Sequence, residues 1–167
     1  RFCDHGRTGR YAHGEIGHNF RMTSLCAAIG RAQLERLPDF NLARRGHAAY
    51  LDERLRKTGL ETPTEPRGAQ SVYHQYTVKS SDRDALARHL EASGVGSAVY
   101  YPTPIHEQPA YDHVSETFPV AERAADRVLS IPVHPGLSTT DLNDVAAAVE
   151  SFDPMDPAVT SAGRQNT

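Results

Sequence analysis

The chain has 167 residues, 38% of them hydrophobic, and a net charge of −3. That length suits one modest domain with a core of its own, and the slight acidity gives no electrostatic basis for binding nucleic acid or an anionic membrane. No apolar run nears the ~20 residues that span a bilayer, no signal-peptide pattern opens the chain, and two cysteines, Cys3 and Cys26, are too few for a disulfide framework, so a cytoplasmic setting is expected.

The chain opens on Arg1 and a polar run, "RFCDHGRTGRYAHGEIG". Its glycines at 6, 9, 14 and 17 make residues 1–22 a loop, and an opening of this kind suggests a fragment. Thr23 is placed to cap a helix over 23–37, with Leu25, Ile29 and Ala32 or Gln33 on one face. Pro38 should break that helix and start another over 39–58, which Gly59 ends; Leu42, Ala49, Leu51 and Leu55 are its apolar positions.

"TPTEPRGAQ" (62–70) reads as a proline-rich loop, and "SVYHQYTVK" (71–79) as a strand with Val72, His74, Tyr76 and Val78 on one face. Ser81 or Asp82 should cap a helix to residue 93, which Gly94 stops. "SAVYY" (97–101) reads as a second strand, and a loop with prolines at 102, 104 and 109 follows it. A helix over 119–128 then precedes a third strand, "LSIPV". "STTD" carries capping signals for a last helix over 138–152, and residues 153–167 read as a disordered tail. This order predicts a small α/β sandwich with helices on one sheet face and no internal repeat.

Few residues point to chemistry by themselves. "HGEIGH" (13–18) superficially resembles a zinc-protease helix, but its histidines would stand about 140° apart on a helix. Gly14 and Gly17 argue against a helix there, so no metal site is expected. No G-x-S-x-G elbow accompanies any serine. His74 suits a packed strand face, while His106 and His134 follow proline-bounded loops where functional side chains gather. "GHNFRMTSLCAA" (17–28) sets Asn19 and Arg21 just ahead of a small-residue helix. An amide donor and a guanidinium near a helix N-terminus suit phosphate oxygens. A cap or turn role for Asn19 is the plainer alternative, and spacing does not choose between them.

A resemblance does. "GHNFRMTSLCAAIGRAQLERLP" resembles the G-Y-N-x-R-M segment and following helix of the DegT/DnrJ/StrS sugar aminotransferases, which are pyridoxal phosphate (PLP) enzymes of fold type I. "YHQYTV", "VYYPTPIHEQPAY" and "VLSIPVHPGLS" resemble that family's later motifs, in order, so the likeness covers residues 4–152. His18 departs from it, since the family usually carries Tyr there. The resemblance implies that residues 1–37 finish the large cofactor-binding domain. Residues 38–152 would form the small C-terminal α/β domain, a short, mainly antiparallel sheet with helices packed on it. It implies that Asn19 reaches a neighbouring subunit of a homodimer and binds the PLP phosphate, with Arg21 shaping the same region. His74, Tyr101 and His106 would contact the sugar nucleotide.

The family's Schiff-base lysine lies upstream of the matched segment, and neither of the two lysines here, Lys57 and Lys79, stands in a matching motif. No catalytic residue is therefore assigned, and the chain alone is expected to be inactive. The parent activity implied is amino transfer, from a donor such as glutamate, to a nucleotide-linked keto sugar. A PLP-dependent sugar dehydratase and a non-catalytic binding or assembly subunit are the alternatives.

Overall fold

The computed structural model describes residues 1–153; the segment read as a disordered tail lies, from residue 154 on, outside the described residues. The elements are α1 (Ser24–Leu55), β1 (Tyr76–Lys79), α2 (Arg83–Ala92), α3 (Pro119–Arg127), β2 (Val128–Ile131) and α4 (Thr139–Glu150), with single 3-10 turns at Ile105–Glu107 and Pro109–Tyr111. The chain divides into two compact units, Arg1–Asp39 and the remainder from Phe40. No helix among the described residues is long and apolar enough to cross a membrane.

Thr23 caps α1 as its position suggests, its Oγ1 accepting the Cys26 N–H at 3.2 Å. The break expected at Pro38 does not occur: α1 runs 32 residues with Pro38 inside it. A proline removes one intrahelical hydrogen bond and crowds the preceding turn, at a cost of about 3 kcal/mol. Good helix formers on both sides, "RAQLERL" before and "NLARR" after, carry the helix through. The border between the units falls one residue beyond that proline. In the second half of α1 the buried stripe is Ala48, Leu51 and Leu55, at spacings of three and four, while Leu42 and Ala49 face outward.

β1 and β2 pair antiparallel, Tyr76 opposite Ile131 and Lys79 opposite Val128. Single bridges widen this ribbon on both sides: Glu61 pairs with Lys79, and Ala98 with Ser130. Two expected strands are thus shorter than their composition suggested. Residues 71–75 stay outside the ladder, so His74 is exposed and does not share a sheet face with Tyr76 and Val78. Residues 97–101 contribute only the Ala98 bridge. Tyr76, Val78, Leu129 and Ile131 bury against Leu51 and Leu55 of α1, Leu86 and Leu90 of α2, and Val145 and Val149 of α4. Burial, then the hydrogen bond its hydroxyl donates to Asp52 at 2.5 Å, pushes the Tyr76 phenol well above the ordinary tyrosine range.

The helix ends follow the sequence signals. Asp82 caps α2 through the Ala85 N–H. At its other end Gly94, in the left-handed region at φ +75°, turns the chain so that the Val95 N–H reaches the Leu90 carbonyl at 2.8 Å. Ser138 and Asp141 form a reciprocal capping box on α4. Arg83 closes the C-terminal end of α3 by donating to the Ala125 carbonyl at 3.2 Å.

Arg54 of α1 meets Glu150 of α4 in a two-point pair, Nε to Oε1 at 2.7 Å and Nη2 to Oε2 at 2.6 Å. Its Nη1 also donates to the Tyr50 hydroxyl at 2.5 Å and to Asn143 Oδ1 at 3.1 Å. The hydrogen bonds from Arg54 hold the Glu150 carboxyl below its ordinary value of 4.5. A depressed folded value means the pair stabilises fully above the unfolded value and is lost as pH falls through the folded one. Urea midpoints of wild type and Glu150→Gln should therefore differ at pH 7 and converge as pH drops below about 4.5. A separation unchanged down to pH 2 would show that the negative charge on Glu150 contributes nothing.

Candidate functional site

The first unit presents Asn19 and Arg21. Residues 1–22 are a folded-back loop in which Asp4 bridges Asn19 and Arg7 bridges His13. Gly6 makes that fold possible: it sits at φ +66°, and a Cβ there would lie 1.7 Å from the Glu15 carbonyl oxygen. Asn19 is held through its backbone, leaving its amide exposed with no side-chain hydrogen bond among the described residues. Arg21 Nη1 donates to Asp4 Oδ1 at 3.2 Å, which fixes a cation two residues from that amide. His18 stacks on Phe20 with ring centroids 4.9 Å apart and takes the edge of Phe2. The His13–His18 run is not helical, and His13 Nδ1 pairs with the His5 carbonyl at 2.8 Å.

Two donors facing solvent, one neutral and one cationic, fit the phosphate end of a cofactor such as PLP. Nothing in this loop offers the amine that would bond its aldehyde. Lys57 is exposed just past α1, and Lys79 Nζ lies 3.4 Å from Glu61 on the sheet edge. The Arg127 guanidinium at 2.6 Å, with Lys79 behind it, holds the Glu61 carboxyl below its ordinary range.

The second unit carries His74, Tyr101 and His106, and it does not gather them in one cleft. His74 lines a cavity of ≈ 320 Å³ with Arg44, Gln75, Tyr100 and His134. Tyr101, 73% exposed, edges a second of ≈ 250 Å³ with Thr103 and Ala124. His106 lines a third of ≈ 400 Å³ whose walls are Pro104, Ile105, Tyr111, Val114 and Phe118. Tyr100 is shared by the first two cavities, and Pro104 and Ile105 by the last two.

Two residues that sequence reasoning passed over organise these walls. Arg44 Nη1 donates to the carbonyls of both Tyr73 and His74 at 3.1 Å. That clamp, with the Tyr73 N–H on Ser71 Oγ at 3.1 Å, holds Tyr73 at φ +44°, a conformation costing a non-glycine residue roughly 1–2 kcal/mol. Glu122 Oε1 accepts the Phe118 N–H at 2.6 Å and lies 3.2 Å from His106 Nε2. The Arg44 contacts span about thirty residues of sequence and leave no local signal. Glu122 stands one residue beyond the capping-box position, after a phenylalanine rather than a serine or threonine, so the usual cap signal does not mark it either.

The family model for the DegT/DnrJ/EryC1/StrS aminotransferases matches residues 1–150. A UDP-N-acetyl-3-dehydro-alpha-D-glucosamine 3-aminotransferase from Acidithiobacillus ferrooxidans is 37% identical over 147 residues, covering 87% of this chain and 40% of that protein. A UDP-2-acetamido-2-deoxy-3-oxo-D-glucuronate aminotransferase from Pseudomonas aeruginosa is 38% identical over 145 residues, with coverage of 87% and 40%. Among solved structures, S. venezuelae DesV superposes with a TM-score of 0.84 at 32% identity, covering 89% of this chain and 41% of its own. The chain thus spans about 40% of the length of the curated relatives it matches. It belongs to the DegT/DnrJ/EryC1/StrS aminotransferase family.

Proposed function

We propose that this chain is the C-terminal part of a PLP-dependent aminotransferase that moves an amino group, from a donor such as glutamate, onto a nucleotide-linked keto sugar, and that it works as a homodimer. Residues 1–37 would then complete the large domain, and 38–152 would form the small one. The observation that carries this reading is the exposed Asn19 amide beside the Asp4-held Arg21, inside a family match that runs over residues 1–150. The two relatives above, named as acting on UDP-linked 3-dehydro and 3-oxo sugars, support the substrate class.

In this reading Asn19 donates its amide hydrogen bond to the cofactor phosphate across the dimer, and Arg21 adds positive charge to the same pocket. His74, Tyr101 and His106 contact the sugar nucleotide from the small domain. PLP, when bound, supplies the electron sink that amino transfer requires. The test is the product of the complete reading frame containing this chain, supplied with PLP, glutamate and a UDP-linked 3-keto sugar. Amino sugar and 2-oxoglutarate should form in equal amounts; sugar dehydration without consumption of glutamate would overturn the assignment.

The chain alone makes a second, simpler prediction. Incubated with PLP and then borohydride, it should carry no stoichiometric adduct at Lys57 or Lys79, because Lys79 is paired with Glu61 and neither lysine stands near Asn19 in sequence. A single trapped cofactor per chain on either lysine, located by peptide mass mapping, would place the reactive amine here.

A further inference from the structure

We propose that His106, Glu107 and Glu122 form a binding site for a divalent transition metal of the zinc or cobalt class, a role that amino transfer does not require. Each residue offers one ligand atom, and the three atoms lie within 4.8 Å of one another. His106 Nε2 is 3.2 Å from Glu122 Oε1 and 3.8 Å from Glu107 Oε1. Ligands held at about 2.1 Å around a tetrahedral ion stand roughly 3.4 Å apart. His106 and Glu122, now hydrogen-bonded, are therefore close to the separation an ion would impose on taking the place of the proton they share, and Glu107 has little distance to close.

Two of the three donors are preorganised by the same residue. Phe118 donates its N–H to Glu122 Oε1 at 2.6 Å, and its ring packs on the His106 imidazole with centroids 4.8 Å apart. The His106 side chain is 14% exposed, so it is held against the loop, whereas Glu107 at 51% is free to swing inward. Outer contacts that fix a ligand's direction in this way contribute directly to metal affinity. One imidazole nitrogen and two carboxylate oxygens suit zinc, cobalt, nickel or manganese, while magnesium and calcium favour oxygen alone. The start of α3 carries a partial positive charge of about half a unit, which opposes a cation there. Two carboxylates outweigh it. Water would fill the remaining coordination positions.

The experiment titrates the chain with Zn²⁺ against a chromophoric chelator, and separately with Co²⁺ while recording its visible absorption. One equivalent should bind, with a cobalt spectrum showing nitrogen and oxygen ligation. His106→Gln and Glu107→Gln should each weaken the first equivalent by at least about tenfold, since even lost outer contacts cost 10–100-fold. Glu107→Gln leaves the Phe118 anchor untouched and stays informative where His106→Gln loosens the loop. The chain has nine histidines, so metal uptake unchanged in both variants would belong to other sites and overturn the proposal. Absence of stoichiometric binding to the wild-type chain, or full binding in Glu107→Gln, would overturn it equally.

Discussion

Leu51→Ala should lower the unfolding free energy of the second unit by about 2–5 kcal/mol, the range for deleting a fully buried leucine side chain. Leu51 has no exposed surface and belongs to the cluster that joins α1, the β1–β2 ribbon, α2 and α4. Its loss removes apolar burial and leaves a cavity that rigid neighbours on several sides fill only in part. Against a typical domain stability of about 5–15 kcal/mol, that is a large fraction. Leu42→Ala is the control, because Leu42 lies on the same helix at 72% exposure. It should shift stability by no more than about 0.5 kcal/mol. Amide exchange at Val78 and Leu129 reads the second unit specifically, and equal effects of the two substitutions would mean that α1 does not face the core through Ala48, Leu51 and Leu55.

The contrast between Leu51 and Leu42 also marks where the sequence was legible. Both were candidate apolar positions of one helix, and a stripe at three- and four-residue spacing accommodates Leu51 and Leu55 without Leu42. Local signals with local causes read well: the caps at Thr23, Asp82 and Ser138, the stop at Gly94, and β2. Signals overridden from a distance did not. Residues 71–75 have strand composition, yet Arg44 takes the carbonyls of Tyr73 and His74, about thirty residues away, and Tyr73 turns left-handed out of the ladder. Pro38 is a local breaker that neighbouring helix formers outweigh. The same division runs through the candidate site. Asn19, His74 and His106 stood out as candidates from the residues and Tyr101 only through the resemblance, and the spread of His74, Tyr101 and His106 over separate cavities depends on packing that no motif records.

For Asn19 the structure sharpens the test that its chemistry invites. An N-cap must immediately precede the first helical residue, and here Thr23 holds that place, its Oγ1 bonded to the Cys26 N–H. Asn19 stands five residues ahead of Ser24, tied to Asp4 through its backbone bridge. Its side chain therefore carries no helix cap, and replacing it should leave the melting temperature of the product of the complete reading frame nearly unchanged. PLP affinity should behave differently. A hydrogen bond to a charged phosphate is typically worth about 1.5–3 kcal/mol. At about 1.4 kcal/mol per decade, Asn19→Ala should weaken cofactor binding by roughly one to two decades. Asn19→Asp should be worse, because it keeps the shape while facing a carboxylate toward a phosphate dianion, and raising salt should recover part of that loss by screening. A turn residue whose side chain touches no ligand would give the opposite ranking, with Asp tolerated as well as Asn. PLP affinities of the two variants, measured at low and high salt beside their melting temperatures, separate the readings: cofactor binding by Asn19→Asp equal to wild type would remove this amide from the phosphate site.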